Sequence, residues 1–143
     1  MNHSHHHHEP EHNNSPYKGK TGLKRIINAW SFSLAGLRAA FEEQGFRQLI
    51  YVNFVLIILI FVLNFGWLTK GILIAASIGT LIIELFNTSI EAAVDHTSLK
   101  HHPLAKRAKD TASAAQLLGL IILVILWICA LLRDTPWSNW FAQ

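Results

Sequence analysis

Residues 82–95 read Ile-Ile-Glu-Leu-Phe-Asn-Thr-Ser-Ile-Glu-Ala-Ala-Val-Asp, a segment in which polar side chains interrupt a long apolar run. At about 100° per helical residue, its four strongly polar members fall within about 80° of one another. These residues, which we call the polar stripe, are Glu84, Asn87, Glu91 and Asp95. Carboxylates on an otherwise apolar, membrane-compatible helix are costly to hold there, so by default they mark a functional site.

Composition is typical of an integral membrane protein. The chain has 143 residues, of which 51% are hydrophobic and 15% charged, and its length suits one small domain. The net charge of +3 comes from Lys and Arg that flank the apolar runs. Because membrane topology requires that placement, we expect no nucleic-acid partner. The single cysteine, Cys129, cannot form an internal disulfide and lies in an apolar run, which favours a packing role.

Three apolar segments predict transmembrane helices, over residues 48–65, 71–94 and 111–132. Each is long enough to cross the hydrocarbon core of a bilayer. After its opening glutamine, the first segment is interrupted by only two strongly polar residues, Asn53 and Asn64. A short turn is expected between the first two helices, and a polar loop over residues 95–110 before the third.

The N-terminal part of the chain has a different pattern. Residues 1–22 are rich in histidine and lack an apolar run, which predicts a disordered tail ahead of one membrane domain over residues 23–143. Residues 23–45 are amphipathic, which predicts a helix on the membrane surface. The opposite face of that helix carries Ala35, Gly36 and Ala40. It would either meet water or allow another helix to approach closely.

Basic residues are distributed unevenly between the two sides of the membrane. Six lie in the N-terminal arm and surface helix: Lys18, Lys20, Lys24, Arg25, Arg38 and Arg47. Four lie in the predicted polar loop: Lys100, Lys106, Arg107 and Lys109. The opposite side has only Lys70 and Arg133. We therefore expect the N-terminus and the loop in the cytoplasm and the C-terminus outside, which puts the polar stripe at the cytoplasmic boundary.

Carboxylates and an amide at that boundary could hold Mg²⁺, which prefers oxygen ligands and often bridges carboxylates to nucleotide phosphates. The nearby Lys106, Arg107 and Lys109 could receive phosphate oxygens, and a carboxylate could act as general base. Phosphoryl transfer to a lipid alcohol is one interpretation. An ion or proton relay in a small transporter would use similar residues. Hydrogen bonding between helices through Asn87 and Thr88 would need no catalysis at all.

The stripe and its surroundings resemble a known family. Residues 84–95 are close to the pattern E-L-L-N-T-A-I-E-x-x-V-D of the small three-span prokaryotic diacylglycerol kinases, which include undecaprenol kinases. A second match covers residues 102–110 and continues through 112–115, and a weaker one combines residues 22–26 with 36–40. Together the matching motifs extend over residues 22–132.

The resemblance implies an all-α membrane protein, with an N-terminal amphipathic surface helix and three transmembrane helices. It also implies a homotrimer whose active sites are built from neighbouring subunits. The implied reaction is phosphorylation of diacylglycerol to phosphatidic acid, at the cytoplasmic face of the inner membrane, with ATP as donor and Mg²⁺ as cofactor. An undecaprenol kinase is the alternative, and a small proton-coupled carrier or scaffold is a further one.

Site residues follow from the same resemblance, position by position. Glu84 matches the catalytic base, and Glu91 matches a metal carboxylate supported by Asn87 and Asp95. The residues that match the nucleotide site are Arg25, Phe32, Glu43, Glu91, His102, Lys109 and Asp110. Those that match the lipid site are Arg25, Arg38, Glu84 and Ser113.

The chain departs from the family in three places. Phe32 stands where the family often has tyrosine. Residues 41–49 are one residue short, so Glu43 takes the second metal position when the following Phe-Arg is aligned, with Glu42 as the alternative. Leu49 replaces an acid of the proteobacterial branch. Residues 36–40 and 46–48 look like diacylglycerol kinases, whereas residues 102–106 also occur in undecaprenol kinases; diacylglycerol is the favoured lipid.

Overall fold

The computed structural model describes residues 23–97 and 102–134, and these residues form four helices. They are α1 (Leu23–Glu42), α2 (Gln44–Val62), α3 (Trp67–Thr97) and α4 (Pro103–Asp134). The last three are long and apolar enough to cross a membrane. The prediction of an all-α protein with an N-terminal helix and three spans is thus confirmed. The predicted His-rich tail, residues 1–22, lies outside the described residues.

The chain divides after Leu37 into two units. Most of α1 belongs to the first unit, and its large apolar side chains are exposed, Trp30 and Ile26 among them. The end of α1 belongs to the second unit together with α2, α3 and α4.

A single extended residue, Glu43, separates α1 from α2, with φ −78° and ψ 132°. Arg47 Nη1 donates hydrogen bonds to the carbonyl oxygens of Phe41 and Glu42, at 2.9 and 2.7 Å. These carbonyls lie at the end of α1, where intrahelical partners run out. Phe41 and Phe46 also meet edge to face, with ring centroids 5.5 Å apart. The boundary expected between residues 45 and 48 therefore lies earlier, because the bend has its own side-chain support.

At the opposite end of α2, the three apolar helices share a core. Ile60, Phe65, Leu73 and Ala130 are all buried in one cluster. The Phe65 ring also packs edge to face on Trp127, with centroids 5.8 Å apart. Because this cluster closes over the connection from α2, α3 begins at Trp67 and not at residue 71.

The polar loop predicted over residues 95–110 is largely helical. The third helix was expected at residue 111, but α4 begins at Pro103, because proline suits the first helical position. His102 precedes it, and its Nδ1 accepts a hydrogen bond of 3.2 Å from the Leu104 N–H. An ion pair between Lys106 and Asp110, one turn apart, supports the first turns.

Helices α3 and α4 run antiparallel. Leu73 and Ala130 share the buried cluster at one end, and Asp95 pairs with Lys109 at the other. Between them, Gly119 lies so close to Ile83 that a Cβ on the glycine would be 2.7 Å from Ile83 Cδ1. This apolar seam holds α3 against α4.

Candidate active site

The side chain of Glu84 is half-buried on α3 and points at the start of α2. A Cβ built on Gly45 would be only 2.9 Å from Glu84 Oε1. Gly45 is the second residue of α2, so the carboxylate lies beside the backbone of a helix N-terminus. A side chain at this position would require the Glu84 carboxylate to shift.

The N-terminus of a helix favours negative charge, because its first N–H groups lack intrahelical partners and the helix dipole is positive there. Glu43 occupies the N-cap position of α2, but its side chain makes no capping hydrogen bond. The carboxylate of Glu84 is therefore the acid that approaches this N-terminus from the neighbouring helix.

Glu91 and Asn87 continue the stripe towards the end of α3, and both are half-buried. The Glu91 carboxylate is close enough to interact electrostatically with Glu84 and with Lys109. Asn87 Oδ1 is buried and has no hydrogen-bond partner within residues 23–97 and 102–134. Since buried polar atoms are nearly always paired, an unpaired amide oxygen between two acids calls for a functional explanation.

Lys109 of α4 pairs with Asp95 at the end of the stripe. Its Nζ lies 2.7 Å from Asp95 Oδ1 and 2.9 Å from Oδ2. The contact spans fourteen residues of sequence and holds a cation beside Glu91. Asp95 thus orients a lysine across the α3–α4 connection.

The other predicted residues are spread over several elements. Asp110 forms an exposed ion pair with Lys106, and His102 caps α4. Ser113 is exposed on α4. Arg38, Glu42 and Glu43 are exposed at the end of α1 and the bend that follows. Arg25 and Phe32 are exposed on α1, within the unit that ends at Leu37.

The donor set suits magnesium better than a transition metal. Within residues 23–97 and 102–134, no three histidine, cysteine, aspartate or glutamate side chains cluster in a way that could hold a metal ion. The stripe instead offers two carboxylates and the unpaired oxygen of Asn87. Mg²⁺ is commonly held by one or two carboxylates with substrate phosphates completing its shell, so these residues fit that ion.

Several residues that shape the site had no place in the predictions from sequence. Gly45 is one, because nothing in residues 41–49 indicates which helix it meets. Ser77 and Thr80 are two more; both are buried on α3, and they prolong the polar stripe by two turns at the same angular positions. The helical periodicity of the polar residues could therefore have identified Ser77 and Thr80 from the sequence. Asn53, seen only as a polar interruption of the first span, donates a hydrogen bond to Thr80.

Comparison with known proteins shows which family this chain resembles. The family model described as prokaryotic diacylglycerol kinase matches residues 31–131. A diacylglycerol kinase of Pseudomonas aeruginosa is 50% identical over 119 residues, covering 82% of this chain and 97% of the relative. One from Helicobacter pylori is 45% identical over 113 residues, covering 78% and 88%. One from Escherichia coli K12 is 39% identical over 120 residues, covering 83% and 94%.

The matched region includes the whole polar stripe, Gly45 and Lys109. It also includes all three apolar helices almost to their ends, which makes the chain a multi-pass membrane protein. With a family model covering most of the chain and relatives up to 50% identical, the chain belongs to the prokaryotic diacylglycerol kinase family.

Proposed function

We propose that this protein transfers the terminal phosphoryl group of ATP to the free hydroxyl of diacylglycerol, giving phosphatidic acid and ADP. The observation that carries the proposal is the approach of the Glu84 carboxylate to the N-terminus of α2 at Gly45. The family membership and the relatives named diacylglycerol kinase support the choice of reaction.

Glu84 is the general base. As the lipid hydroxyl oxygen attacks the γ-phosphorus of ATP, its proton passes to a Glu84 carboxylate oxygen. The bond from the γ-phosphorus to the bridging oxygen of ADP breaks, and ADP leaves with that electron pair. The positive end of the α2 dipole favours a carboxylate at this position, and the Gly45 backbone limits where it can lie, so the hydroxyl meets an oriented acceptor.

The nucleotide phosphates lie further along the stripe, near Glu91 and Asn87. Glu91 would be the first metal ligand, and Asn87 Oδ1, which has no partner among the described residues, would be available as a further oxygen donor. Glu43 would be the second metal carboxylate, and its position next to the start of α2, two residues before Gly45, supports this role. Mg²⁺, when bound with ATP, neutralises charge on the phosphates.

Lys109 binds phosphate oxygens as a cation held in place by Asp95. His102 and Asp110, at the start of α4, complete the nucleotide side, and Arg25 and Phe32 of α1 contribute to it as well. On the lipid side, Arg38 and Ser113 contact the glycerol region together with Arg25. These roles follow from the family pattern. In this proposal the lipid hydroxyl lies between the nucleotide-binding residues and the lipid-binding residues.

The site faces the cytoplasm in this proposal, in a homotrimer of the inner membrane. The excess of lysine and arginine in the N-terminal arm and near the start of α4 supports that orientation. ATP then reaches the site from water, while diacylglycerol reaches it from the bilayer.

The test is an assay of the purified protein in lipid nanodiscs with γ-labelled ATP. Nanodiscs containing diacylglycerol, undecaprenol or neither are compared, each with Mg²⁺ and with a chelator. We expect labelled phosphatidic acid that requires Mg²⁺, and much less labelled undecaprenyl phosphate. A preference for undecaprenol would reassign the lipid, and no labelled lipid of either kind would refute the kinase.

A further inference from the structure

A buried polar cluster joins α2 to α3 within their apolar stretches. Its members, which we call the Asn53 cluster, are Asn53, Ser77 and Thr80, with exposed fractions of 1%, 0% and 2%. Asn53 Nδ2 donates to Thr80 Oγ1 at 3.3 Å and to the Leu49 carbonyl oxygen at 2.9 Å. Thr80 Oγ1 donates to the Ser77 carbonyl oxygen at 2.8 Å. The helices are thus linked directly by side chains.

The Asn53 cluster contributes little to the stability of the fold. Among the residues that the structure describes, Asn53 Oδ1 and Ser77 Oγ are buried without a hydrogen-bond partner. A partly paired polar group in an apolar setting carries a desolvation cost. Single hydrogen bonds between membrane helices are also weak. An apolar contact would hold the two helices together at least as well. A role in positioning explains the polar residues better than a role in stability.

The position of the cluster indicates what it holds in place. Thr80 lies one turn before Glu84 on α3, about 6 Å along the helix axis. Asn53 lies about two turns after Gly45 on α2. The same two helices therefore carry the Asn53–Thr80 hydrogen bond and the contact of Gly45 with the Glu84 carboxylate.

Apolar faces of membrane helices specify their register weakly, because one aliphatic side chain packs much like another. A slip of one helical turn would displace Gly45 by about 5.4 Å and bring a residue with a Cβ towards the carboxylate. A hydrogen bond tolerates only a few tenths of an ångström before it weakens. The Asn53–Thr80 bond, at 3.3 Å, thus adds a directional constraint on register to the packing around it.

We propose that Asn53 is a positioning residue: through its hydrogen bond to Thr80 it sets the register at which the Gly45 backbone lies against the Glu84 carboxylate. This inference rests on the proposed function, in which Glu84 is the base. Loss of the bond moves the base relative to the lipid hydroxyl and slows phosphoryl transfer. The nucleotide groups near the start of α4 keep their places. Glu43 shifts together with Gly45, but Glu91 and Lys109 keep their places as well, so kcat falls while the KM for ATP changes little.

The experiment compares single variants in the nanodisc assay. Thr80→Val keeps the volume of the side chain and removes its hydroxyl, and Asn53→Leu removes the amide. Each should lower kcat about three- to tenfold, with little change in the KM for ATP. Thr80→Ser keeps a hydroxyl and should restore most of the activity. Asn64→Leu makes the same change as Asn53→Leu at an exposed position after α2, and should leave kcat unchanged.

The double variant Asn53→Leu/Thr80→Val separates positioning from stability. Because both partners become apolar, no polar group is left unpaired by the change, and the thermal unfolding temperature should match or exceed that of the single variants. We expect kcat to remain low. Recovery of wild-type kcat in the double variant, or unchanged kcat in Thr80→Val, would overturn the inference while the kinase assignment stands. A wild-type protein that phosphorylates neither lipid would overturn the proposed function and this inference with it.

Discussion

Two neighbouring residues of α3, Ile83 and Glu84, each lie against a glycine of a different helix. A Cβ on Gly119 of α4 would be 2.7 Å from Ile83 Cδ1, and a Cβ on Gly45 of α2 would be 2.9 Å from Glu84 Oε1. Since successive helical residues point about 100° apart, one faces the α3–α4 seam and the other the start of α2. Both contacts lie against a glycine, but disturbing them has different consequences.

The difference lies in what moves if the contact is disturbed. The Ile83 methyl group can move to another position within the apolar seam, and the free-energy cost comes from poorer packing. The Glu84 carboxylate carries the proposed chemistry, so a displacement changes its distance to the reacting hydroxyl. Catalysis is sensitive to shifts of about 1 Å at the reacting groups. At the level of Ile83 and Glu84, the contact with α4 therefore governs stability, and the contact with α2 governs activity.

The largest expected effect is at the two residues themselves. Glu84→Gln keeps the shape of the side chain but removes the base, so kcat should fall about 10²- to 10⁴-fold with little change in thermal unfolding. Ile83→Ala should do the reverse, lowering stability by about 1–3 kcal/mol while kcat falls at most severalfold. Assays and thermal unfolding of both variants test the division. A kcat of Glu84→Gln that is a tenth of the wild-type value or more would contradict this division between activity and stability.

The glycines give the next largest contrast. Gly45→Val should displace the Glu84 carboxylate and lower kcat about tenfold or more, with stability little changed because residue 45 is otherwise exposed. Gly119→Val should overpack the seam against Ile83 and cost about 1–3 kcal/mol. The same substitution is thus measured on both sides of α3 by activity and by thermal unfolding. Equal losses of activity and stability in the two variants would contradict the assignment.

A smaller effect is expected at two lysines of α4. Lys109→Met removes the cation beside Glu91 and Asp95, and should raise the KM for ATP about tenfold. Lys106→Met is the comparison variant, because Lys106 is also a lysine of α4 but pairs with the exposed Asp110 and not with Asp95. It should change the KM about twofold or less. If both variants had the same KM for ATP, the pairing with Asp95 would not explain which lysine binds phosphate.

The smallest effect is expected where α4 begins. His102→Ala removes the acceptor for the Leu104 N–H, which should destabilise the first turn by about 0.5–2 kcal/mol. His102→Asn supplies another capping acceptor and should preserve the turn. Amide hydrogen exchange at residues 104–106 measures the opening directly. Identical exchange in the wild type and both variants would show that the cap has no part in holding this end of the nucleotide side.

Much of the architecture could be predicted from sequence because it depends on local properties. Helical periodicity alone groups Glu84 with Asn87, Glu91 and Asp95, and hydrophobic length alone identifies three spans. The start of α4 was misjudged because the lysines and histidines near residue 103 suggested a loop. Pro103 was the signal for a helix start, since its missing N–H is unneeded at the first position.

The partners of the stripe could not be predicted in the same way. Asp95 and Lys109 are fourteen residues apart, and their contact depends on how α4 folds back along α3. Gly45 and Asn53 lie on a helix whose pattern is nearly uniform in hydrophobicity, so periodicity gives neither its rotation nor its register. Those two quantities are set by side chains meeting across helices.

The sequence by itself determined the membrane class, the helix count and the single face on which the acids lie, because each follows from spacing along one helix. Only the tertiary structure decided that the Glu84 carboxylate lies at the N-terminus of α2, with Ile83 beside it in an apolar seam. The physical reason is that a helix presents every residue at a fixed angle. Which residue of another helix lies in that direction depends on how the helices pack.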